Sequence, residues 1–171
     1  LKDLIDFFDA VTVTYKGPDE KFYREVTKSS LRPVLRSMEI IKESGKWLEV
    51  ATLVVPTLND SEDSLRNMAK WIVKHLGAET PWLLEKFSPQ YKLRNLPPTS
   101  QATMEKARQI GHSTGLKYVY LSNLSPHEGN HTYCPECGKI IVTRMGLQTL
   151  NTEIKQSKCR YCHAKIPGVW N

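Results

Sequence analysis

The sequence predicts an α/β chain in which about four parallel strands alternate with helices, followed by a small C-terminal ribbon built around a metal. Three observations carry this. Stretches rich in β-branched and apolar residues, centred near Val13, Ala51, Leu84 and Val119, recur about every 35 residues, the length of a βα unit. Segments of helical apolar periodicity with helix start and stop signals lie between them. All four cysteines sit near the end in two pairs, Cys134-Pro-Glu-Cys137 and, 21 residues later, Cys159-Arg-Tyr-Cys162.

In chain order, Leu1, Leu4, Ile5 and Phe8 recur at helical spacing, so the opening reads as the end of a helix, with Asp3, Asp6 and Asp9 on its solvated side. Residues 10–15 (AVTVTY) form the first strand, stopped by Lys16-Gly17-Pro18. Asp19 caps a short helix over 20–26; Ser29 or Ser30 caps the next, where Pro33 is tolerated in the first turn and Leu31, Val34, Leu35, Met38 and Ile41 share a face up to Gly45. Residues 47–55 (WLEVATLVV) read as a strand covered on both faces. Asn59-Asp60-Ser61 caps a helix carrying Leu65, Met68, Ala69, Ile72, Val73 and Leu76 and closing at Gly77. Residues 82–87 are the third strand; Thr99 or Ser100 opens a helix with Met104, Ala107 and Ile110; residues 117–121 are the fourth strand. Tyr118 and Tyr120 share one of its faces, as core packing would require.

The number of units is informative. Eight close a barrel and roughly six form a partial one, so four are about half of either. A free-standing four-stranded sheet is the alternative. Its first strand would present a bare edge to water, so the chain is expected to dimerise or to be the C-terminal part of a longer protein. The start at Leu1, already inside a helical pattern, points the same way.

Two residues between thiols let a tight turn aim both sulfurs at one point, and a second such turn completes the tetrahedral shell that Zn²⁺ prefers. Residues 139–144 and 146–151 read as a hairpin around Met145-Gly146, with too small a core to hold itself. Cys134, Cys137, Cys159 and Cys162 are therefore assigned as ligands of structural zinc, with iron possible in the same cage, rather than as disulfides or free thiols. Residues 1–125 then form the α/β part and 126–171 the ribbon.

No apolar run is long enough for a membrane span and no signal peptide opens the chain, so a cytoplasmic location is expected, with no membrane partner. Net charge is +6, of which the stretch from His131 onward supplies +4. Four thiolates and one Zn²⁺ would reduce that stretch to about +2, a weak footprint for nucleic acid. No P-loop, G-x-G-x-x-G or Ser-His-Asp pattern is legible, which removes support for nucleotide hydrolysis and acyl transfer. Trp47, Trp82 and Trp170 read as core and interface filler rather than base-stacking platforms, and His127, Glu128 and His131 as loop residues, since four thiolates already fill a zinc shell.

At residues 118–123 (YVYLSN), His127-Glu128-Gly129, 132–138 (TYCPECG) and 166–170 (IPGVW), the sequence resembles the radical S-adenosylmethionine proteins of the AmmeMemoRadiSam type, relatives of the pyruvate formate-lyase activating enzymes. The likeness extends through residues 20–24, residues 47–50, Pro56 with Asn59-Asp60, and residues 88–92, so it covers this chain and about the second half of the family's length. It implies half of a partial (β/α) barrel. It also implies a separate half carrying CxxxCxxC, a 4Fe-4S cluster and S-adenosylmethionine. This chain has no CxxxCxxC, so the resemblance implies a portion that is not catalytic alone. Where the family has Asp-Leu-Lys toward S-adenosylmethionine, Thr14-Tyr15-Lys16 keeps only the lysine, making Lys16 the candidate cofactor contact. Pro-Gly-x-Asn-Asp becomes Pro56-Thr57-Leu58-Asn59-Asp60, and Leu83 and Ser88 stand where the family commonly has histidines. The expected partner is an N-terminal half or a second copy covering the open edge. Readings from other classes are a zinc-ribbon adaptor binding protein or nucleic acid through Lys155, Lys158 and Arg160, and a rubredoxin-like electron carrier.

Overall fold

A computed structural model describes residues 1, 4–146 and 148–170 of the 171-residue chain. Asp3 and Leu147, and with Leu147 part of the second hairpin strand expected over 146–151, lie outside the described residues.

The chain opens with a single 3₁₀ turn, Ile5–Phe7, instead of the expected helix end. Only Ile5 finds a core to enter; Leu4 is 57% and Phe7 82% exposed, and Phe8 turns into extended backbone. Strand β1, Ala10–Thr14, follows. Asp19 caps helix α1, Glu20–Phe22, by accepting from the Phe22 N–H at 2.8 Å, and the chain continues through a π turn, Tyr23–Thr27. Helix α2, Leu31–Glu43, corrects an expectation. The Ser30 side chain makes no cap bond; the Glu20 carboxylate, eleven residues upstream, takes the Leu31 N–H at 3.1 Å and the Arg32 N–H at 3.0 Å. A carboxylate satisfies two orphan donors at once and favours the positive end of the helix, an advantage a single hydroxyl lacks.

Strand β2, Trp47–Val54, leads to helix α3, Glu62–Leu76, whose cap is Ser61. Strand β3 is Trp82–Lys86; helix α4, Gln101–Ser113, is capped by Ser100; strand β4 is Val119–Ser122. The four strands form one parallel sheet in the order β1-β2-β3-β4. Val11, Leu48, Val50, Val54, Trp82, Leu84, Val119 and Leu121 meet α2, α3 and α4 in one apolar core. Burial of this face drives the α/β part together. Inside it the two polar tips are satisfied: Trp82 Nε1 donates to Thr52 Oγ1 at 2.9 Å, and that hydroxyl donates to Tyr15 O at 2.8 Å.

Among the described residues the opposite face carries no helix. Trp47, Glu49 and Leu53 project there from β2 and are half-buried, so this strand is covered on one face rather than both. Tyr118 and Tyr120 also point there, away from the helices, and meet the ribbon. The ribbon comprises β5 (Thr132–Tyr133), β6 (Ile140–Met145) and β7 (Gln148–Thr152) in one antiparallel sheet, and β8 (Ile154–Lys155) with β9 (Lys158–Cys159) in another. Its small core gathers Cys134, Ile141, Cys159 and Ile166.

The two edges of the parallel sheet differ. Because Trp82 N donates to Tyr118 O, the carbonyls of Val119 and Leu121 face outward from β4. Arg108 Nε donates to the first at 3.3 Å and Asn130 Nδ2 to the second at 2.7 Å. On β1, Trp47 N donates to Asp9 O and Tyr15 N to Ala51 O, so Ala10, Thr12 and Thr14 turn their N–H and C=O groups outward. Among the described residues nothing pairs with them.

One prediction comes from Thr57, whose φ of +68° is unusual for a β-branched residue, at the position where the resembled motif has glycine. Its side chain is exposed, and the one bond that holds this backbone, Thr57 N donating to Asp60 Oδ1 at 2.8 Å, is one that glycine keeps. Thr57→Gly should raise stability by about 1 kcal/mol and the melting temperature by about 2–4 °C, read by calorimetry. A lower melting temperature would show that the left-handed backbone costs nothing here.

Candidate functional site

The two CxxC turns adopt the same local geometry. After Cys134, Gly138 N donates back to Cys134 O at 2.9 Å and Cys134 N to Lys139 O at 2.9 Å; after Cys159, His163 N donates to Cys159 O and Cys159 N to Ala164 O, both at 2.9 Å. Each turn exits through a left-handed residue, Gly138 at φ +71° and His163 at φ +60°. Glycine favours that region; His163 adopts it within a turn closed at both ends by backbone bonds. Two equivalent turns facing each other bring four sulfurs together. Cys134 Sγ lies 3.6 Å from Cys162 Sγ and Cys137 Sγ 3.8 Å from Cys159 Sγ, and all four fall within 4.8 Å of one another.

These distances separate the readings. A disulfide needs about 2.05 Å, and all four cysteines are free. Four bonds of about 2.3 Å at tetrahedral angles place sulfurs roughly 3.8 Å apart, which the two short contacts match, so the four cysteines can hold a metal ion. The electrostatics agree. Burial alone would raise the Cys159 thiol, but backbone N–H groups of Cys162 and Tyr161 and the adjacent thiols outweigh it and bring it down to about 7. At Cys162 the Ala164 N–H pulls downward, yet burial and the three neighbouring thiols prevail and drive it up. Four thiolates this close cannot all ionise unaided; a divalent cation removes the repulsion.

Lys16 stands elsewhere, beyond the C-terminal end of β1. Its backbone is pinned from two sides: Lys16 N donates to the Tyr23 hydroxyl at 3.0 Å and Lys16 O accepts from Asn59 Nδ2 at 2.8 Å, while its side chain is exposed. Asn59, expected only as part of a helix cap, is the organiser of this rim. It is buried, accepts from Val55 N at 2.7 Å and donates also to Leu53 O at 2.9 Å, joining the ends of β1 and β2. Thr99 does the same between β2 and β3, donating to Val54 O at 2.5 Å and accepting from Phe87 N at 3.2 Å. Side chains buried beside strand ends, in a stretch rich in turn formers, were the available signal for both.

His127, Glu128 and His131 do not approach the sulfurs as ligands among the described residues. His127 Nδ1 accepts from Gly129 N at 2.9 Å, which leaves Nε2 to donate to Glu105 at 3.1 Å. His131 Nδ1 accepts from Arg144 N at 3.1 Å. Arg144 also donates through Nη1 to Thr132 Oγ1 at 2.7 Å, and Thr132 shares a 3.0 Å hydrogen bond with the Tyr120 hydroxyl, linking ribbon and sheet. Trp82 is buried, whereas Trp47 and Trp170 flank a cavity between the two parts.

No protein-family model matches the chain. An uncharacterized protein of Methanocaldococcus jannaschii is 39% identical over 163 residues, covering 94% of this chain and 49% of that protein, so the chain spans about half the length of its curated relative. A domain of pyruvate-formate lyase-activating enzyme from Bacteroides vulgatus superposes with a TM-score of 0.60 at 11% identity, over 71% of this chain and 72% of that one. A radical SAM methyltransferase from Sphaerobacter thermophilus gives 0.52 at 15% identity, over 82% of this chain and 42% of that one. The α/β part thus has the fold of radical S-adenosylmethionine-related domains. No helix among the described residues is long and apolar enough to cross a membrane.

Metal binding must release thiol protons, so apparent Zn²⁺ affinity should fall steeply as pH drops below about 7, the value set for Cys159, in a competition titration with a chromophoric chelator. A flat profile between neutral and mildly acidic pH would contradict a thiolate site. Cys159→Ser should abolish the stoichiometric metal and unfold the ribbon while far-UV circular dichroism retains the helices. Loss of the whole cooperative melt would instead show that sheet and ribbon fold as one unit.

Proposed function

We propose that this chain is the C-terminal portion of a radical S-adenosylmethionine protein of the AmmeMemoRadiSam type, related to pyruvate formate-lyase activating enzyme, and that it needs an N-terminal half to be catalytic. The observation that carries this is the unequal treatment of the sheet edges. Arg108 and Asn130 occupy the outward carbonyls of β4, whereas β1 offers backbone that is unpaired among the described residues, beside the exposed Leu1, Leu4, Phe7 and Phe8. An unprotected strand flanked by apolar side chains is the surface that another strand completes. The likeness to radical S-adenosylmethionine domains and the half-length match to the curated relative support the same reading.

The chain's own residues do not fit a 4Fe-4S cluster. Its four cysteines converge in the ribbon, and the rim around Lys16 has no thiol to offer. In this reading an N-terminal half supplies the cluster ligands and the radical chemistry, and Lys16, on a backbone held by Tyr23 and Asn59, supplies a cation at the rim where barrel ligands bind. The cage itself is structural zinc: four thiolates close a tetrahedral shell and leave no position for substrate. Iron in the same cage would make the protein coloured, and elemental analysis distinguishes the two.

Mixing this chain with the segment of the Methanocaldococcus jannaschii relative that it does not cover should give a one-to-one complex by light scattering. Reconstitution with iron and sulfide should then yield 4Fe-4S absorbance that this chain alone never develops. S-adenosylmethionine cleavage by the isolated chain, or absence of any complex, would overturn the proposal.

A further inference from the structure

Ala10 opens β1, and the register with β2 places it beside Trp47 on the face away from the helices, while Val11 packs toward the helix-side core. Ala10 and Trp47 both line a cavity of about 410 Å³ between that face and the ribbon. Leu83, Tyr120 and Arg144 line it from β3, β4 and the ribbon, and the segment 166–170 completes the lining. A round space of that volume is roughly 9 Å across, about two strand spacings. The cavity thus reaches the margin where Ala10, Thr12 and Thr14 turn their backbone groups outward. A strand added at this margin stands about 4.8 Å beyond Ala10, and its residue level with Ala10 projects onto the same face, beside the cavity.

The segment 166–170 is an arch rooted at one end. Ile166 is buried with Cys134, Ile141 and Cys159 and donates from N to Ser157 O at 2.8 Å, so the sulfur cage holds the root. Beyond it, the N–H groups of Gly168, Val169 and Trp170 have no backbone acceptor among the described residues. Trp170 folds back to donate from Nε1 to Ile166 O at 3.0 Å, which depends on Gly168, where a Cβ would stand 2.8 Å from the indole ring. The fold-back leaves Val169 53% and Trp170 38% exposed on the wall of the cavity. Two apolar side chains held beside an open space, on backbone without partners, are a surface that another chain covers.

The character of that other chain follows from what remains free. On the ribbon side Arg144 donates to Thr132 Oγ1 at 2.7 Å, and Thr132 shares a 3.0 Å hydrogen bond with the Tyr120 hydroxyl, so these polar groups are engaged with one another. Ala10, Trp47, Val169 and Trp170 offer apolar surface, which an apolar side chain matches. The chain spans 49% of the Methanocaldococcus jannaschii protein, so about half of that protein's length remains to supply such a neighbour.

We propose that the arch 166–170 is a second docking surface for the N-terminal half: an apolar side chain from the strand beside β1, level with Ala10, enters the cavity and packs on Trp47, Val169 and Trp170. This rests on the proposed pairing of such a half with β1. Assembly then depends on the metal, because the cage holds the root of the arch although its ligands do not touch the partner. Hydrogen exchange of the zinc-loaded chain, alone and with the segment of the Methanocaldococcus jannaschii relative that it does not cover, tests this. In the complex the amides of Val169 and Trp170 should slow about tenfold or more, together with those of Thr12 and Thr14. Slowing of Thr12 and Thr14 with Val169 and Trp170 unchanged would overturn this inference and leave the pairing at β1 standing; absence of any complex would overturn both. Trp170→Ala, which removes the indole, and Ala10→Trp, which fills the cavity from the margin, should each weaken the complex about tenfold or more in isothermal titration. Removal of zinc should weaken it at least as much as Trp170→Ala. Parental affinity in either variant or in the zinc-free chain, or self-association of this chain alone that slows the same amides, would also overturn the inference. Zinc content of each variant reports that the ribbon remains seated.

Discussion

Backbone pairing at the two margins of the parallel sheet is the constraint from which the rest follows. A parallel strand cannot turn back on itself, so each margin must be met by something else. At β4 the chain meets it internally: α4 sends Arg108 and the segment before the ribbon sends Asn130 to the outward carbonyls. These same contacts seat the ribbon, since Asn130 also donates to Leu124 O and its own carbonyl accepts from Arg144. At β1 the outward groups of Ala10, Thr12 and Thr14 have no counterpart among the described residues. One margin is finished and, among the described residues, the other is open.

The sulfur cage acts through this same seat. A metal held by the two facing turns would fix the ribbon, a fold whose own core is small, and the ribbon presents Arg144 and Thr132 to Tyr120. Charge bookkeeping inside the cage explains why cation and fold are coupled: thiols close enough to disturb one another's ionisation need a divalent ion to be stable together. The side of the sheet that would face a barrel interior is thereby covered at its base and open toward the rim.

Much of the α/β architecture was legible because burial on the helix side writes a period into the sequence. Leu65, Met68, Ala69, Ile72 and Leu76 sit where their spacing put them, and so do Val50, Leu84 and Leu121. The four cysteines were legible for a different reason: two residues between ligands is a local geometric requirement. What periodicity does not encode was missed. Glu20 capping α2 and Asn59 joining β1 to β2 are long-range polar bonds with no local spacing. Tyr118 and Tyr120 look like core residues, but their face meets the ribbon, and alternation cannot say which layer covers a strand. The opening apolar residues have helical spacing, yet only Ile5 has a core to join, so a turn forms instead.

Amide hydrogen exchange of the isolated chain tests the central claim most directly. The amides of Val11 and Val13, which face β2, should be protected, and those of Thr12 and Thr14 should exchange near the rate of solvent-exposed peptide, with protection of these two appearing only when a partner strand is added. Equal protection of all four amides in the isolated chain would mean that β1 is already paired, and the account of this sheet as one part of a larger one would fail.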